Sequence, residues 1–355
     1  MKRIVLTGGG TAGHVTPNLA LLPSLKEAGY EIIYMGSYDG IEKRLIEDFD
    51  IPYVGIATGK FRRYLDVKNL TDPFRVIKGY GEARKFLKEY QPDVVFSKGG
   101  FVSVPVVRAA ASLKIPCIIH ESDMTPGLAN RLCFPVAEKI CCNFPETFDM
   151  LPEKKAVLTG TPIRAELAQG SRLAGLEMCG FTANKPVIMV IGGSLGAANV
   201  NKAVRDALPK LLQRYQVVHL CGRDKLDNLL LTTPGYKQFE YLKAELKDIF
   251  AMADIVISRA GANAICELLA LRKPNILIPL PASSSRGDQL LNAQSFEAQG
   301  FSLVLHEDDM TTALLLEKVD HLYENRQSFY EAMDTSGQMD SIPTIMKLIN
   351  EAAGN

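Results

Sequence analysis

Three short segments combine glycines with groups that bind anions or move protons. The first is Gly8-Gly9-Gly10-Thr11-Ala12-Gly13-His14, ahead of a helix predicted over 17–26. Glycines at a strand-to-helix turn let the backbone approach a ligand, and the helix start offers N–H groups and a partial positive charge. An anionic group would fit there. Gly8, Gly10 and Gly13 have the G-x-G-x-x-G spacing of dinucleotide loops, but no acid closes the second strand, because Glu31 begins it and Asp39 lies beyond. A nicotinamide reading is thereby weakened. His14 is one of five histidines and can accept a proton near neutral pH, which makes it a candidate general base or phosphate partner; capping its own helix is the alternative.

The second segment, Gly192-Gly193-Ser194-Leu195-Gly196-Ala197, again joins an apolar run to a helix, here from about Asn199. Ser194 offers a hydroxyl and an N–H to a phosphate, or caps the helix. The third is Ser258-Arg259-Ala260-Gly261-Ala262-Asn263-Ala264-Ile265-Cys266-Glu267. Its amides suit another phosphate, and Glu267 suits vicinal ribose hydroxyls unless it is a plain surface residue. Further on, the loop 279–289 closes with Arg286-Gly287-Asp288-Gln289 before a helix carrying Asn292. His120-Glu121-Ser122-Asp123 ends a strand, as a cleft position or as a strand-end hydrogen-bonding cluster. No H-x-x-x-H or carboxylate-rich motif is present, so neither a metal nor a cofactor is expected.

Such loops need rigid elements behind them. Apolar runs at 3–7, 32–35, 94–96, 115–120, 139–142 and 156–158 alternate with helix-length stretches, the pattern of a parallel sheet covered on both faces. After a polar, irregular stretch at 170–185, a second series follows at 187–191, 216–220, 255–258, 275–279 and 302–305. The same doubly wound α/β architecture is built twice, and 355 residues accommodate two domains. Glycine turns in corresponding places would set two polar loops across an interdomain cleft.

Lys plus Arg number 40 and Asp plus Glu 40, with 47% apolar residues, which excludes a disordered or collagen-like chain. Zero net charge argues against a general nucleic-acid binder. The seven cysteines are odd in number and contain no C-x-x-C pair, so they read as core thiols of a reducing cytoplasm. Met1-Lys2-Arg3 precedes too few apolar residues for a signal peptide, and no run approaches the roughly 18 that cross a membrane. One local departure from neutrality is the segment 60–88, with nine basic residues against Asp66, Asp72 and Glu82. Phe61, Tyr64, Phe74, Ile77, Tyr80 and Phe86 are interleaved with those charges. Basic and aromatic side chains together suit an anionic bilayer surface; a solvated helix with its other face in the core is the alternative.

Taken in order, these motifs closely resemble those of the MurG family, the N-acetylglucosaminyltransferases that convert lipid I to lipid II. The resemblance also rests on Ser97-Lys98-Gly99-Gly100-Phe101-Val102-Ser103, on His120-Glu121 with Pro126-Gly127-Leu128-Ala129-Asn130, on Thr161-Pro162-Ile163-Arg164, and on Asp288-Gln289 with Asn292-Ala293. It spans nearly the whole chain. It implies a GT-B glycosyltransferase of two Rossmann-like doubly wound domains facing across a cleft. Residues 1–163 would form the acceptor and membrane-docking domain, with a C-terminal helix at about 342–352 packing back on it. Residues 164–341 would hold UDP-GlcNAc.

Carried over residue by residue, the resemblance puts Thr11, Ala12 and Gly13 on the donor, and Arg164 and Ser194 at its sugar or phosphate end. Ala262, Asn263, Ala264, Ile265, Cys266 and Glu267 would hold pyrophosphate and ribose, Gln289 would approach the GlcNAc, and Leu242 and Lys243 lie near the expected uracil contacts. Asp123 and Asn130 complete the substrate-binding set. The sequence departs from the family at Ala12, where G-G-T-G-G-H is usual, at Asp123, where many members have Asn, and at Thr161-Pro162-Ile163-Arg164, where N-P-V-R is common. The implied reaction is inverting transfer of GlcNAc to the MurNAc 4-hydroxyl of lipid I with release of UDP, at the cytoplasmic face of the cell membrane. With a lipid acceptor, the 60–88 segment becomes a docking surface. A UDP-GlcNAc epimerase of GT-B-like fold and a non-catalytic, membrane-associated nucleotide-binding protein are the alternatives.

Overall fold

The computed structural model of the chain describes residues 2–59, 68–193, 196–283, 287–336 and 341–354. These form two compact units, Met1–Arg164 with Asp340–Asn355, and Ala165–Met339. The first holds seven strands: β1 (Lys2–Thr7), β2 (Tyr30–Ser37), β3 (Tyr53–Ile56), β4 (Val94–Ser97), β5 (Cys117–Glu121), β6 (Lys139–Cys142) and β7 (Ala156–Leu158). They pair in parallel in the order β3-β2-β1-β4-β5-β6-β7. The second unit holds β8 (Val187–Ile191), β9 (Gln216–Leu220), β10 (Tyr236–Phe239), β11 (Ile255–Ser258), β12 (Asn275–Leu277) and β13 (Ser302–Val304), ordered β10-β9-β8-β11-β12-β13.

The period of two along each strand explains the layers. In β1, Ile4 and Leu6 enter one core and Val5 the other; Ile32 and Tyr34 of β2 part in the same way from Ile33 and Met35. Both faces of the sheet are therefore dry, as its continuous apolar runs require. The helix Ser341–Ala352 closes the first of these cores with Ile345, Met346 and Ile349, and Tyr30 Oη donates to Asn350 Oδ1 at 2.8 Å. Burial pushes the thiols of Cys117, Cys133, Cys141, Cys142 and Cys179 up to about 12, and all seven cysteines are buried and outside any disulfide.

Each apolar run forms a strand within two residues of its expected ends. Two strands, β3 and β10, were not expected. Each is the edge strand next to β2 or β9, and β10 alternates buried Tyr236 and Gln238 with half-buried Lys237 and Phe239 instead of presenting an apolar run. The stretch 170–185, expected to be irregular, contains the helix Arg172–Cys179 after a 3-10 turn at Ala165–Gln169. Ser171 caps that helix by accepting from Ala174 N, and Gly180 ends it at φ 66°.

Candidate active site

In both sheets the strand order reverses at one point, between β1 and β4 and between β8 and β11. Connections leaving the carboxyl ends of two such strands run in opposite directions and open a crevice between them. The glycine segments sit there. In the first unit, 8–14 follows β1 and 98–103 follows β4, with Gly9 N donating to Gly99 O at 3.3 Å. Gly100, at φ 82°, would carry a Cβ only 2.2 Å from the Gly9 carbonyl oxygen, so the two turns touch only because neither has a side chain. Thr11 and Ala12 are exposed and Gly13 and His14 half-buried, in a 3-10 turn ahead of the helix Thr16–Glu27. His14 Nδ1 lies 3.1 Å from Thr11 Oγ1.

Behind this loop lies a carboxylate whose role no spacing rule reveals. Glu42 is fully buried; its Oε2 accepts from Gly10 N at 3.2 Å, while Oε1 accepts from Ser37 N at 3.0 Å and from the Ser37 hydroxyl. A Cβ at Gly9 would meet its carboxyl carbon at 2.5 Å. Within Gly40-Ile41-Glu42-Lys43-Arg44 the glutamate reads as a solvated helix residue, so composition gives no sign of it.

A second polar chain crosses to the end of β5. The fully buried Lys98 ammonium donates to His120 Nδ1 at 2.8 Å and to Ser122 Oγ. Because a carbonyl only accepts, the 2.8 Å contact of His120 Nε2 with Gly160 O fixes the proton on Nε2. Burial first, and the Lys98 charge second, hold the imidazole neutral, with a pKa well below 6.5. Glu121 then shapes the next loop, its Oε1 accepting from Ser122 N and Asp123 N at 2.8 and 3.0 Å and its Oε2 from Gly127 N at 2.9 Å. Asn130 is buried and donates to His120 O at 3.2 Å and Glu121 Oε2 at 2.9 Å, so it faces the loop's interior. Asp123 is half-buried at the loop's rim; Arg164, the last residue of the first unit, is half-buried with no ion pair among the described residues.

In the second unit the connection 192–197 follows β8. Ser194 lies outside the described residues; Gly196, at φ 68°, would place a Cβ 2.0 Å from Cys221 O. After β11, Gly261 is the N-cap of the helix Ala262–Ala270 and supplies no side-chain cap, and a helix start of this kind suits an anion. The six predicted residues divide by face: Ala262, Ile265 and Cys266 are buried, whereas Asn263, Ala264 and Glu267 are half-buried on the accessible side. Gln289 falls in the first turn of the helix Asp288–Ala298, with Oε1 accepting from Leu280 N at 3.1 Å. Leu242 is half-buried and Lys243 exposed beyond β10. Thus 11–14 gather at one reversal point and 262–267 at the other, while Asp123 and Asn130 belong to the β5 loop.

Two family descriptions match the chain: the glycosyltransferase family 28 N-terminal domain over residues 4–142 and the family 28 C-terminal domain over 187–349. Among curated relatives, UDP-N-acetylglucosamine--N-acetylmuramyl-(pentapeptide) pyrophosphoryl-undecaprenol N-acetylglucosamine transferases of Lachnoclostridium phytofermentans and Lachnospira eligens are each 64% identical over 99% of both chains. The chain belongs to the MurG family of glycosyltransferases. A solved MurG structure from Acinetobacter baumannii superposes with a TM-score of 0.79 at 27% identity, covering 99% of this chain and 100% of that one. A UDP-GlcNAc 2-epimerase from Neisseria meningitidis also superposes, with a TM-score of 0.68 over 99% and 100% of the two chains, but at 13% identity that likeness concerns the GT-B fold alone.

Proposed function

We propose that this MurG-family chain transfers GlcNAc from UDP-GlcNAc to the 4-hydroxyl of MurNAc in lipid I, giving lipid II and UDP in peptidoglycan synthesis. The observation that carries the reading is its 64% identity, over 99% of the chain, to relatives bearing that transferase's name. The 13% identity to an epimerase gives that alternative far less support.

The second unit supplies the donor groups. Uncapped amides at Ala262 receive the pyrophosphate, the accessible carboxylate of Glu267 accepts from the ribose hydroxyls, and Gln289 offers its Nε2 end to the GlcNAc. Arg164 and Ser194 add donors at the phosphates. As the acceptor 4-hydroxyl attacks the anomeric carbon, the bond from that carbon to the phosphate oxygen breaks and UDP departs with the electron pair. The configuration inverts to a β-1,4 bond. The hydroxyl proton passes to His14 Nε2, with Nδ1–H donating to Thr11 Oγ1 to fix the tautomer. Thr11, Ala12 and Gly13 line the same loop, and Asp123, on a loop held by Glu121 and Asn130, faces substrate.

The lipid acceptor requires access to a membrane, and no helix among the described residues is long and apolar enough to cross one. Lys68–Tyr90 is a helix on which Phe74 and Ile77 are 74% and 67% exposed, with Arg75 and Lys78 beside them. Lysines and arginines there attract anionic lipid while the exposed apolar pair enters the headgroup boundary, which supports peripheral binding at the cytoplasmic face. Residues 60–67 lie outside the described residues. Vesicle binding insensitive to both anionic lipid and charge reversal in this helix would refute the docking role.

Incubation of the protein with labelled UDP-GlcNAc, with and without lipid I, tests the whole reading. The expected result is labelled lipid II and UDP only when lipid I is present. Turnover of UDP-GlcNAc without acceptor would establish an epimerase instead, and binding with no turnover would establish a nucleotide-binding protein. Near-normal turnover by His14→Ala at saturating lipid I would remove the base assignment.

A further inference from the structure

A buried polar cluster at the carboxyl edge of the second sheet has no part in the steps above. Its centre is Arg259, immediately after β11. The guanidinium Nη1 donates to the carbonyls of Ile278 and Pro279 at 3.1 and 3.4 Å and pairs with the Glu307 carboxylate; the two side chains are only 12% and 10% exposed. Glu307 Oε1 in turn accepts from Asn199 Nδ2 at 2.5 Å. Ile278 and Pro279 follow β12, Glu307 opens the 3-10 turn Glu307–Asp309 after β13, and Asn199 stands in the first turn of the helix Ala198–Arg214 after β8. One cation and one carboxylate therefore tie together the connections leaving β8, β11, β12 and β13. Asn292 adds a fifth tie, donating to Ala260 O at 3.1 Å.

All three contacts are made by Nη1, whose two N–H bonds are fixed in the guanidinium plane, whereas the ammonium of a lysine turns freely about its last bond. Burial of such a pair is a poor source of stability, since desolvation offsets most of the attraction. What the pair does fix is geometry. We propose that Arg259 is a positioning residue for the donor: through Glu307 and the two carbonyls it sets where the helix start at Ala262 lies relative to the helix start at Asn199 and to Gln289. The inference rests on the donor reading given above. The Nη1 of Arg259 is committed to Glu307 and to the two carbonyls, so the role assigned to it is to hold these connections.

The test compares Arg259→Lys, Glu307→Gln and Glu267→Ala with the unaltered protein, using UDP as the calorimetric probe and UDP-GlcNAc with lipid I for steady-state kinetics. Arg259→Lys and Glu307→Gln are each expected to weaken UDP about tenfold and raise the UDP-GlcNAc KM in parallel, as the loss of roughly one charge-assisted hydrogen bond would do. The lipid I KM stays within about twofold and thermal unfolding stays cooperative, a split that general damage to the fold would not produce. UDP affinity unchanged in both variants, or equal loss for both substrates, overturns the proposal. Should Arg259→Lys fail to fold, Glu307→Gln decides. Unchanged UDP affinity in Glu267→Ala would defeat the donor reading, whereas loss there with none in the other two would defeat the Arg259 proposal alone.

Discussion

Replacing Glu42 by glutamine tests whether the first glycine loop is held from behind. The carboxylate has three donors, Gly10 N–H, Ser37 N–H and the Ser37 hydroxyl, and is fully buried. A glutamine keeps one oxygen, which suits the two Ser37 donors, and must then aim its own NH₂ at the Gly10 N–H. The variant forfeits a hydrogen bond to a charged acceptor, worth roughly 1.5–3 kcal/mol, and leaves two donors facing each other, so the total loss is about 2–4 kcal/mol. Against a domain stability of roughly 5–15 kcal/mol, that is a large fraction. Urea unfolding followed by circular dichroism should show a lower midpoint for the first unit, while UDP affinity, assigned to the second, stays unchanged. Turnover should fall, because the Gly10 amide no longer holds the loop that carries Thr11 and His14. Glu42→Asp, one methylene shorter, should lose the Gly10 bond while keeping its charge. A Glu42→Gln protein within about 0.5 kcal/mol of the original, with normal turnover, would refute the argument.

Acid should weaken both units through their buried histidines. His120 is held well below 6.5 and His219 at about 3, chiefly by burial, and nearby Lys98 or Arg205 adds to the effect. Both are neutral in the fold and bind protons on unfolding, so their contribution is complete above pH 6.5 and is lost as pH falls toward the folded value, by up to about 1.4 kcal/mol per pH unit each. His219→Gln should flatten the stability difference between pH 7 and pH 5 by about 2 kcal/mol in urea unfolding; an unaltered slope would contradict the neutral assignment. Gly196→Ala adds a Cβ 2.0 Å from Cys221 O at φ 68°, so it should cost at least about 3 kcal/mol and lower the melting temperature. Ile349→Ala removes a fully buried side chain of the C-terminal helix and should destabilise the first unit, not the second, by about 2–5 kcal/mol; limited proteolysis would show which unit opens.

The two sheets and their glycine turns were legible because central parallel strands are dry on both faces and so read as unbroken apolar runs. Edge strands face a different requirement, and Tyr236-Lys237-Gln238-Phe239 hides its period of two in four residues. The helix at 172–179 had its signals in Ser171 and Gly180, which the surrounding polarity outweighed. At the site, glycines and His14 were visible because the backbone conformation dictates residue type. Glu42, Lys98 and Arg259 were not, because a buried charge and a solvated one have the same letter; only the partners brought by β2, β5, β12 and β13 tell them apart.

Those partners also bear on which unit should take the nucleotide. Two glycine turns of similar sequence at equivalent reversal points would, from spacing alone, compete equally for a pyrophosphate. Their electrostatics differ. In the first unit the Gly10 amide is already committed to a buried carboxylate, and a second anion brought to that amide would meet the charge of Glu42 at short range in a medium that screens it poorly. In the second unit Gly261 supplies no side-chain cap to the helix at Ala262, and the Glu307 carboxylate is paired with Arg259. On the proposed donor assignment, a doubly charged leaving group is thereby better accommodated in the second unit, and the proposed base His14 in the first would meet a neutral hydroxyl. Glu42→Gln sharpens the point: by removing the repelling charge it should raise the affinity of inorganic pyrophosphate for the first loop, and no change in that affinity would mean that loop geometry, not charge, separates the two units.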